Sequence, residues 1–147
     1  MHSPATAGRL RAMFAEYGGG EQQLDLRGST THVEHLRVYR EIDVALDPFP
    51  YSGGITTCEA AWMGLPVVTC PGENFASRHS LSHLTNAGAT ETIARDSAHY
   101  VELAVGLASD PKRLSALRAS LRPRMAASPL CDRGAVANPF EERMRAS

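Results

Sequence analysis

The feature that most constrains the fold is a proline- and glycine-rich loop between a strand and a helix. An apolar run over residues 42–46 ends at Asp47, and residues 48–54 then contain two prolines and two glycines, which prevent regular structure. A helix is predicted over 56–63, and it is followed by an apolar, β-branched run over 66–70 that is typical of a buried parallel strand. Strand, loop, helix and strand in this order predict a βαβ unit.

The remaining chain continues this alternation. Helical periodicity and capping signals predict further helices, and short apolar runs predict two more strands. The pattern indicates a Rossmann-like α/β fold, with a mainly parallel sheet, helices on both faces and ligands bound beyond the carboxyl ends of the strands. Only three or four strands are expected, so we expect a truncated sheet. The predicted helices cover 4–17, 31–41, 75–86, 97–108 and 111–127, and the additional strands cover 24–26 and 91–94.

Length and charge limit the possible functions. The 147 residues suffice for one domain, and the 15 basic and 16 acidic side chains argue against a nucleic-acid or anionic-membrane surface. No run of eighteen apolar residues predicts a membrane span, and no signal peptide is recognisable. The three cysteines, Cys58, Cys70 and Cys131, are far apart and odd in number, which favours a reduced cytoplasmic setting.

The glycine loop and the helix after it can bind an anion. Gly53 and Gly54 allow the backbone to approach a ligand closely, and the first turn of the helix offers unpaired N–H groups and the positive end of its dipole. Thr56 and Thr57 add hydroxyl groups, so a diphosphate could be held without a metal. Glu59, one turn later, could accept hydrogen bonds from both ribose hydroxyls. These residues alone are equally compatible with an ordinary turn and capping threonines.

The histidines and the tryptophan allow several interpretations. His35 lies on a predicted helix, either as a surface residue or as a flat ring that stacks on a nucleobase. His79 and His83 have the i, i+4 spacing of metal ligands but lack a third ligand, so we expect no metal site. Trp62 is expected in the core. No Ser-His-Asp or Cys-His arrangement supports a hydrolase.

Several motifs together resemble a known family. The segments DVALD (43–47), EAAWMGLPVVT (59–69) and PGENFASR (71–78) closely resemble the catalytic C-terminal region of protein O-GlcNAc transferases and SPINDLY-like proteins. The resemblance continues through LTNAG (84–88) and SPLC (128–131), so it covers about residues 22–132, whereas the tail 133–147 diverges and Pro139 interrupts the expected last helix.

The resemblance implies a fold and an activity. The family has the GT-B architecture, in which two Rossmann-like lobes enclose a nucleotide-sugar that the C-terminal lobe mainly holds, and it needs no metal or other cofactor. The implied reaction is transfer of a sugar from the nucleotide-sugar to a Ser or Thr hydroxyl of a protein acceptor. We expect UDP-GlcNAc as the donor and GDP-fucose as the second choice.

The resemblance also assigns residues by position. Gly53, Gly54, Ile55, Thr56 and Thr57 match the diphosphate-binding segment, Glu59 matches the ribose-binding acid and His35 matches the histidine that stacks on the base. Uridine-using relatives carry lysine at the position of His32, and His and Thr at the positions of Gly54 and Ile55, which leaves the base open.

The expected organisation is a partial C-terminal lobe over residues 1–147. Such a lobe would act as a protein O-linked glycosyltransferase if the acceptor lobe is supplied by another chain or a longer product. Two alternatives stay open. One is a non-catalytic nucleotide-sugar-binding or interaction module, and the other is a GT-B sugar-nucleotide epimerase, which the match at FASR (75–78) disfavours.

Overall fold

The structure is a computed structural model that describes residues 4–132, Gly134 and Met144. The chain divides into two compact units, Met1–His35 and Leu36–Ser147. The divergence predicted for residues 133–147, including the role of Pro139, falls outside the described residues except at Gly134 and Met144.

The first unit contains one long helix and a short turn. Helix α1 spans Pro4–Glu16, close to the predicted bounds, and Gly18 ends it with a φ of 81°. A 3₁₀ turn over Glu21–Gln23 follows. The predicted strand over 24–26 is wrong, because this segment forms no strand in the described part of the chain. The alternation of two leucines is a local signal for a strand. A strand also needs a neighbouring strand with which its backbone can pair, and this local signal does not supply one.

Helix α2 spans His32–Val38 and begins with the predicted capping box. The Glu34 N–H donates to Thr31 Oγ1 over 3.3 Å, and the Thr31 N–H donates to Glu34 Oε2 over 3.0 Å. These hydrogen bonds, from the Thr31 backbone first, lower the pKa of Glu34. The helix ends three residues before the predicted bound of residue 41.

The second unit contains the predicted βαβ unit. Strand β1 spans Ala45–Leu46 and strand β2 spans Val67–Val68; they are parallel, with Ala45 opposite Val67 and Leu46 opposite Val68. Helix α3, Ile55–Trp62, connects them. The predicted strand over 91–94 is reduced to a parallel bridge between Thr69 and Ile93. The predicted order and parallel direction are confirmed, although the strands are shorter than expected.

The other helices pack around this small sheet. A 3₁₀ turn, Phe75–Ser77, replaces the predicted beginning of the next helix. Side chains that are almost completely buried form the centre of the core: Leu65, Val68, Leu84, Leu107 and Leu121. The helices of this part are α4 His79–Asn86, α5 Ser97–Ala108 and α6 Pro111–Ala126.

One core prediction is wrong. Trp62 is 37% exposed, and the Arg122 guanidinium lies over its ring, 5.0 Å from the ring centroid. Trp62 therefore makes a cation–π contact at the surface instead of filling the core.

Across the helices that the structure describes, none combines the length and the apolar character that a bilayer span requires.

Candidate functional site

The candidate site lies where strand β1 ends and helix α3 begins. Asp47 directly follows β1, and the loop then returns to α3 through Ser52, which is buried, and Gly53. An open cleft of about 200 Å³ lies at this edge. Sites that enclose a small ligand have roughly 300–1,000 Å³, so this cleft has room for part of a nucleotide. Its lining includes Tyr39, Asp47, Tyr51, Ser52, Gly53 and Thr56.

The backbone amides at the beginning of α3 differ in their partners. The Gly53 N–H donates to Asp47 Oδ1 over 2.6 Å, and the Thr57 N–H donates to the Gly54 carbonyl over 3.0 Å. Between them, the N–H groups of Gly54, Ile55 and Thr56 have no acceptor among the described residues. Three consecutive amides at a helix N-terminus, together with the helix dipole, are chemically able to bind an anion.

Buried polar side chains support the loop from beneath. Ser80 is fully buried in the first turn of α4, and its Oγ lies 3.0 Å from the Gly53 carbonyl oxygen and 2.8 Å from Thr57 Oγ1. The Ser80 N–H donates to Ser52 Oγ over 3.3 Å. Thr57 is only 3% exposed, whereas Thr56 is exposed. The Thr57 hydroxyl is thus already used inside the protein.

The two glycines of the loop have different surroundings. A Cβ atom at Gly53 would lie 2.6 Å from Thr57 Oγ1 and 3.1 Å from Asp47 Oδ1, which is closer than side chains tolerate. A Cβ atom at Gly54 would meet no atom within 4 Å. The loop therefore requires glycine at position 53, while position 54 has space for a side chain.

Tyr39 is a site residue that the sequence did not single out. It lines the cleft, is 7% exposed, and its hydroxyl donates to the Thr56 carbonyl over 3.4 Å. Burial, and then the charge of Glu59, raises the pKa of Tyr39. Tyr39 is therefore a protonated donor at neutral pH. In the sequence, Tyr39 is only an aromatic residue near the end of a predicted helix. Such a position is as typical of the core as of a binding site.

The structure brings six of the predicted residues together and describes two others separately. Gly53, Gly54, Ile55, Thr56, Thr57 and Glu59 all lie in the loop and the first turns of α3, and Glu59 is half-buried. His32 and His35 lie on α2, where His32 is exposed and His35 is half-buried. Their expected roles towards the base stay predictions.

Two further histidines that the sequence singled out, His79 and His83, lie on α4. The His79 ring meets Phe75 edge-on at 4.7 Å and Tyr51 at 6.2 Å between centroids. Burial, and then the neighbouring His79, lowers the pKa of His83. Within the described ranges, no three His, Cys, Asp or Glu side chains cluster closely enough to hold a metal ion.

Comparison with known proteins agrees with these features. The model of glycosyl transferase family 41 matches residues 4–138. The "Probable UDP-N-acetylglucosamine--peptide N-acetylglucosaminyltransferase SPINDLY" of Petunia hybrida is 48% identical over 99 residues, which are 67% of this chain and 11% of that protein. The UDP-N-acetylglucosamine–peptide N-acetylglucosaminyltransferase of Caenorhabditis elegans is 36% identical over 123 residues, which are 84% of this chain and 11% of that protein.

A solved structure has the same fold. A mutant O-GlcNAc transferase of Thermobaculum terrenum superposes with a TM-score of 0.89 and 36% identity, covering 98% of this chain and 28% of that one. This likeness confirms the expected fold class, the Rossmann-like lobe of a GT-B glycosyltransferase. The chain spans about a tenth of the length of the curated relatives, since it covers 11% of the Petunia protein and 12% of its Arabidopsis thaliana counterpart.

Proposed function

The chain belongs to glycosyltransferase family 41, and on that premise we propose that it is the donor-binding lobe of a protein O-linked glycosyltransferase. The proposed reaction transfers GlcNAc from UDP-GlcNAc to Ser or Thr hydroxyls of a protein acceptor. The names of its relatives support this reaction, because those of Petunia hybrida and Caenorhabditis elegans name peptide N-acetylglucosaminyl transfer from UDP-N-acetylglucosamine. The free thiols of its three cysteines are consistent with a reducing, cytoplasmic setting.

The observation that carries the proposal is the row of amides at Gly54, Ile55 and Thr56, which lack acceptors among the residues that the structure describes. A diphosphate presents several oxygens with negative charge, and each amide can donate one charge-assisted hydrogen bond. When the bond from the sugar to the diphosphate breaks, negative charge develops on the leaving oxygen. Fixed amides and a helix dipole stabilise that charge without reorganisation.

The side chains around the amides take different parts in this proposal. The exposed Thr56 hydroxyl contributes a donor to the diphosphate, while Thr57 acts through the loop, because its own hydroxyl is bonded to Ser80. Glu59, which lies one turn into α3, accepts hydrogen bonds from the ribose hydroxyls. His35 stacks on the base and His32 contacts its edge; these two roles rest on the resemblance alone.

Calorimetry with nucleoside diphosphates tests this proposal. UDP, GDP, UMP and GMP are titrated separately into the purified chain. We expect UDP to bind more tightly than GDP, and each diphosphate to bind more tightly than its monophosphate, because the second phosphate reaches amides that the first does not. A preference for GDP would replace the UDP-GlcNAc assignment with GDP-fucose. Absence of binding by all four nucleotides would contradict the donor-binding role itself.

The alternative is a nucleotide-sugar-binding module without catalysis, which would use the same cleft. The two functions separate in a transfer assay, in which the chain is combined with an acceptor lobe from a relative and labelled UDP-GlcNAc. Labelled protein supports the enzyme. Binding without transfer in a combination that forms a stable complex favours the module.

A further inference from the structure

One residue of the loop, Gly53, is held at both of its backbone polar atoms. The Gly53 N–H donates to Asp47 Oδ1 over 2.6 Å, and the Gly53 carbonyl accepts from Ser80 Oγ over 3.0 Å. Asp47 follows strand β1, and Ser80 lies in the first turn of α4, so two separate elements fix the same residue. We call Asp47, Gly53 and Ser80 the Gly53 clamp.

Asp47 is an unusual choice for a structural hydrogen bond. It is 5% exposed, its second oxygen accepts from Thr69 Oγ1 over 2.6 Å, and its carbonyl accepts from the Tyr100 hydroxyl over 3.0 Å. No Lys, Arg or His among the described residues forms an ion pair with it. Burying a carboxylate without a cation costs several kcal/mol, whereas a neutral side chain could accept the same N–H at a lower cost.

A carboxylate has one property that compensates for this cost. Both of its oxygens only accept, so it fixes the direction of each donor, and its hydrogen bonds are shorter and stronger than neutral ones. The Gly53 N–H is therefore turned towards Asp47 and away from solvent. The next three N–H groups, from Gly54 to Thr56, are those that find no acceptor in the described chain.

Ser80 completes the arrangement from the other side. It is fully buried and contacts Gly53 and Thr57 through its hydroxyl and Ser52 through its N–H. The loop before the amides and the first turn after them are thus both bonded to one residue of α4. A shift of Ser80 would move the beginning of α3 and the loop together.

We propose that Asp47 and Ser80 are positioning residues for the diphosphate of the donor, which act by fixing the N–H and the carbonyl of Gly53 and thereby the direction of the three amides that follow it. This inference rests on the proposed donor-binding function. Amides that are already directed at the ligand need no ordering when it binds. The free-energy cost of ordering is therefore avoided, and the affinity is higher. Asp47 and Ser80 act through the backbone of Gly53, which they hold from two sides.

The test compares four variants by calorimetry with UDP and GDP, using the full chain. Asp47→Ala and Ser80→Ala each release one side of Gly53. We expect each variant to weaken diphosphate binding about tenfold or more. This is the size associated with losing one hydrogen bond from a misdirected amide to the charged diphosphate. Asp47→Asn keeps an oxygen for the Gly53 N–H but accepts as a neutral group, so its affinity should lie between that of Asp47→Ala and that of the wild type. This partial rescue would show that the hydrogen bond to Gly53, and not only the negative charge of Asp47, supports binding.

Thr69→Val is the matched control. It removes the other side-chain hydrogen bond of Asp47 but leaves the bond to Gly53, so it should lower the melting temperature without changing nucleotide affinity beyond about twofold. ¹H–¹⁵N spectra provide a second measurement. The Gly53 amide proton should shift upfield in Asp47→Ala and keep its position in Thr69→Val, because only the first loses the short hydrogen bond.

Three outcomes would overturn the inference. If the wild type binds UDP or GDP and a folded Asp47→Ala or Ser80→Ala binds it equally well, the clamp is only structural. If Thr69→Val weakens binding as much as Asp47→Ala does, general loosening explains the loss. If the wild type binds neither nucleotide, the proposed function fails and the positioning role with it. Should Asp47→Ala not fold, Ser80→Ala still decides the question, because it releases Gly53 from the other side.

Discussion

The steric surroundings of Gly53 predict the result of adding a single methyl group. In Gly53→Ala, the new Cβ atom would lie 2.6 Å from Thr57 Oγ1, while comfortable contacts begin near 3.4 Å, so about 0.8 Å of movement is required. Thr57 cannot yield easily, because it is buried and its hydroxyl is bonded to Ser80 over 2.8 Å. Overpacking of this kind costs about 1 to 3 kcal/mol. At about 2 to 4 °C per kcal/mol, the melting temperature should fall by about 2 to 12 °C.

The same movement should weaken nucleotide binding. A displacement of 0.8 Å, the difference between 3.4 and 2.6 Å, misaligns the amides that follow Gly53. Loss of one charge-assisted hydrogen bond costs about 1.5 to 3 kcal/mol, which corresponds to about tenfold to hundredfold in the dissociation constant. Circular dichroism measures the melting temperature, and calorimetry with UDP, performed well below that temperature, measures the affinity.

Two other glycines serve as matched controls. In Gly106→Ala, within α5, the new Cβ would be 3.9 Å from its nearest neighbour, so this variant should be as stable as the wild type or more so, with unchanged affinity. Gly54→Ala meets no atom within 4 Å and keeps its N–H, so its melting temperature should fall less than that of Gly53→Ala. A Gly53→Ala protein that melts and binds UDP like the wild type would refute the steric reasoning.

Three further predictions concern single side chains. Glu59→Ala should weaken UDP binding by about 1 to 3 kcal/mol, because charged hydrogen bonds to the ribose are lost; calorimetry showing no change would remove the ribose role. His35→Ala should weaken UDP binding by about 1 to 3 kcal/mol if the His35 ring stacks on the base as aromatic residues do on nucleic acids. Unaltered affinity would mean that the ring does not stack on the base. Burial and His79 lower the pKa of His83, so the unfolded state takes up the proton first and stability should decrease as the pH falls through about 6.5. Melting curves at several pH values should show a shallower decrease for His83→Gln, and parallel curves would contradict this.

Helices were predictable here where their signals are local. The predicted helix over 97–108 matches α5 at both ends, and the predicted helix 111–127 differs from α6 by one residue. Asp96 caps the first by accepting from the His99 N–H over 2.7 Å, and Asp110 caps the second by accepting from the Arg113 N–H over 3.0 Å. Such caps lie within three residues of their partners, so the sequence contains the complete signal. Strand length depends on distant partners, which explains the missing strand at 24–26.

The same difference between local and distant signals applies to the candidate site. The glycine loop and the beginning of α3 could be predicted, since glycines followed by a helix are local features. The orientation of two adjacent threonines could not, because successive residues differ by about 100° around a helix and the sequence does not say which one faces inwards. Asp47 and Ser80 act on Gly53 from 6 and 27 residues away. A buried serine has no periodic pattern, so only the fold reveals this second contact.

The chemistry of the amides has a consequence for donor selectivity. Gly54 and Ile55 are the positions at which the resemblance implies His and Thr in relatives that use uridine, yet a change of side chain leaves the backbone N–H groups in place. If these groups bind the diphosphate as proposed, that binding is insensitive to the base, and we expect selectivity between UDP and GDP to come from other residues, for which His32 and His35 are the proposed candidates. It follows that Gly53→Ala, Asp47→Ala and Ser80→Ala should weaken UDP and GDP binding by the same factor. A loop variant that changed the ratio of the two affinities would mean that the loop itself reads the base.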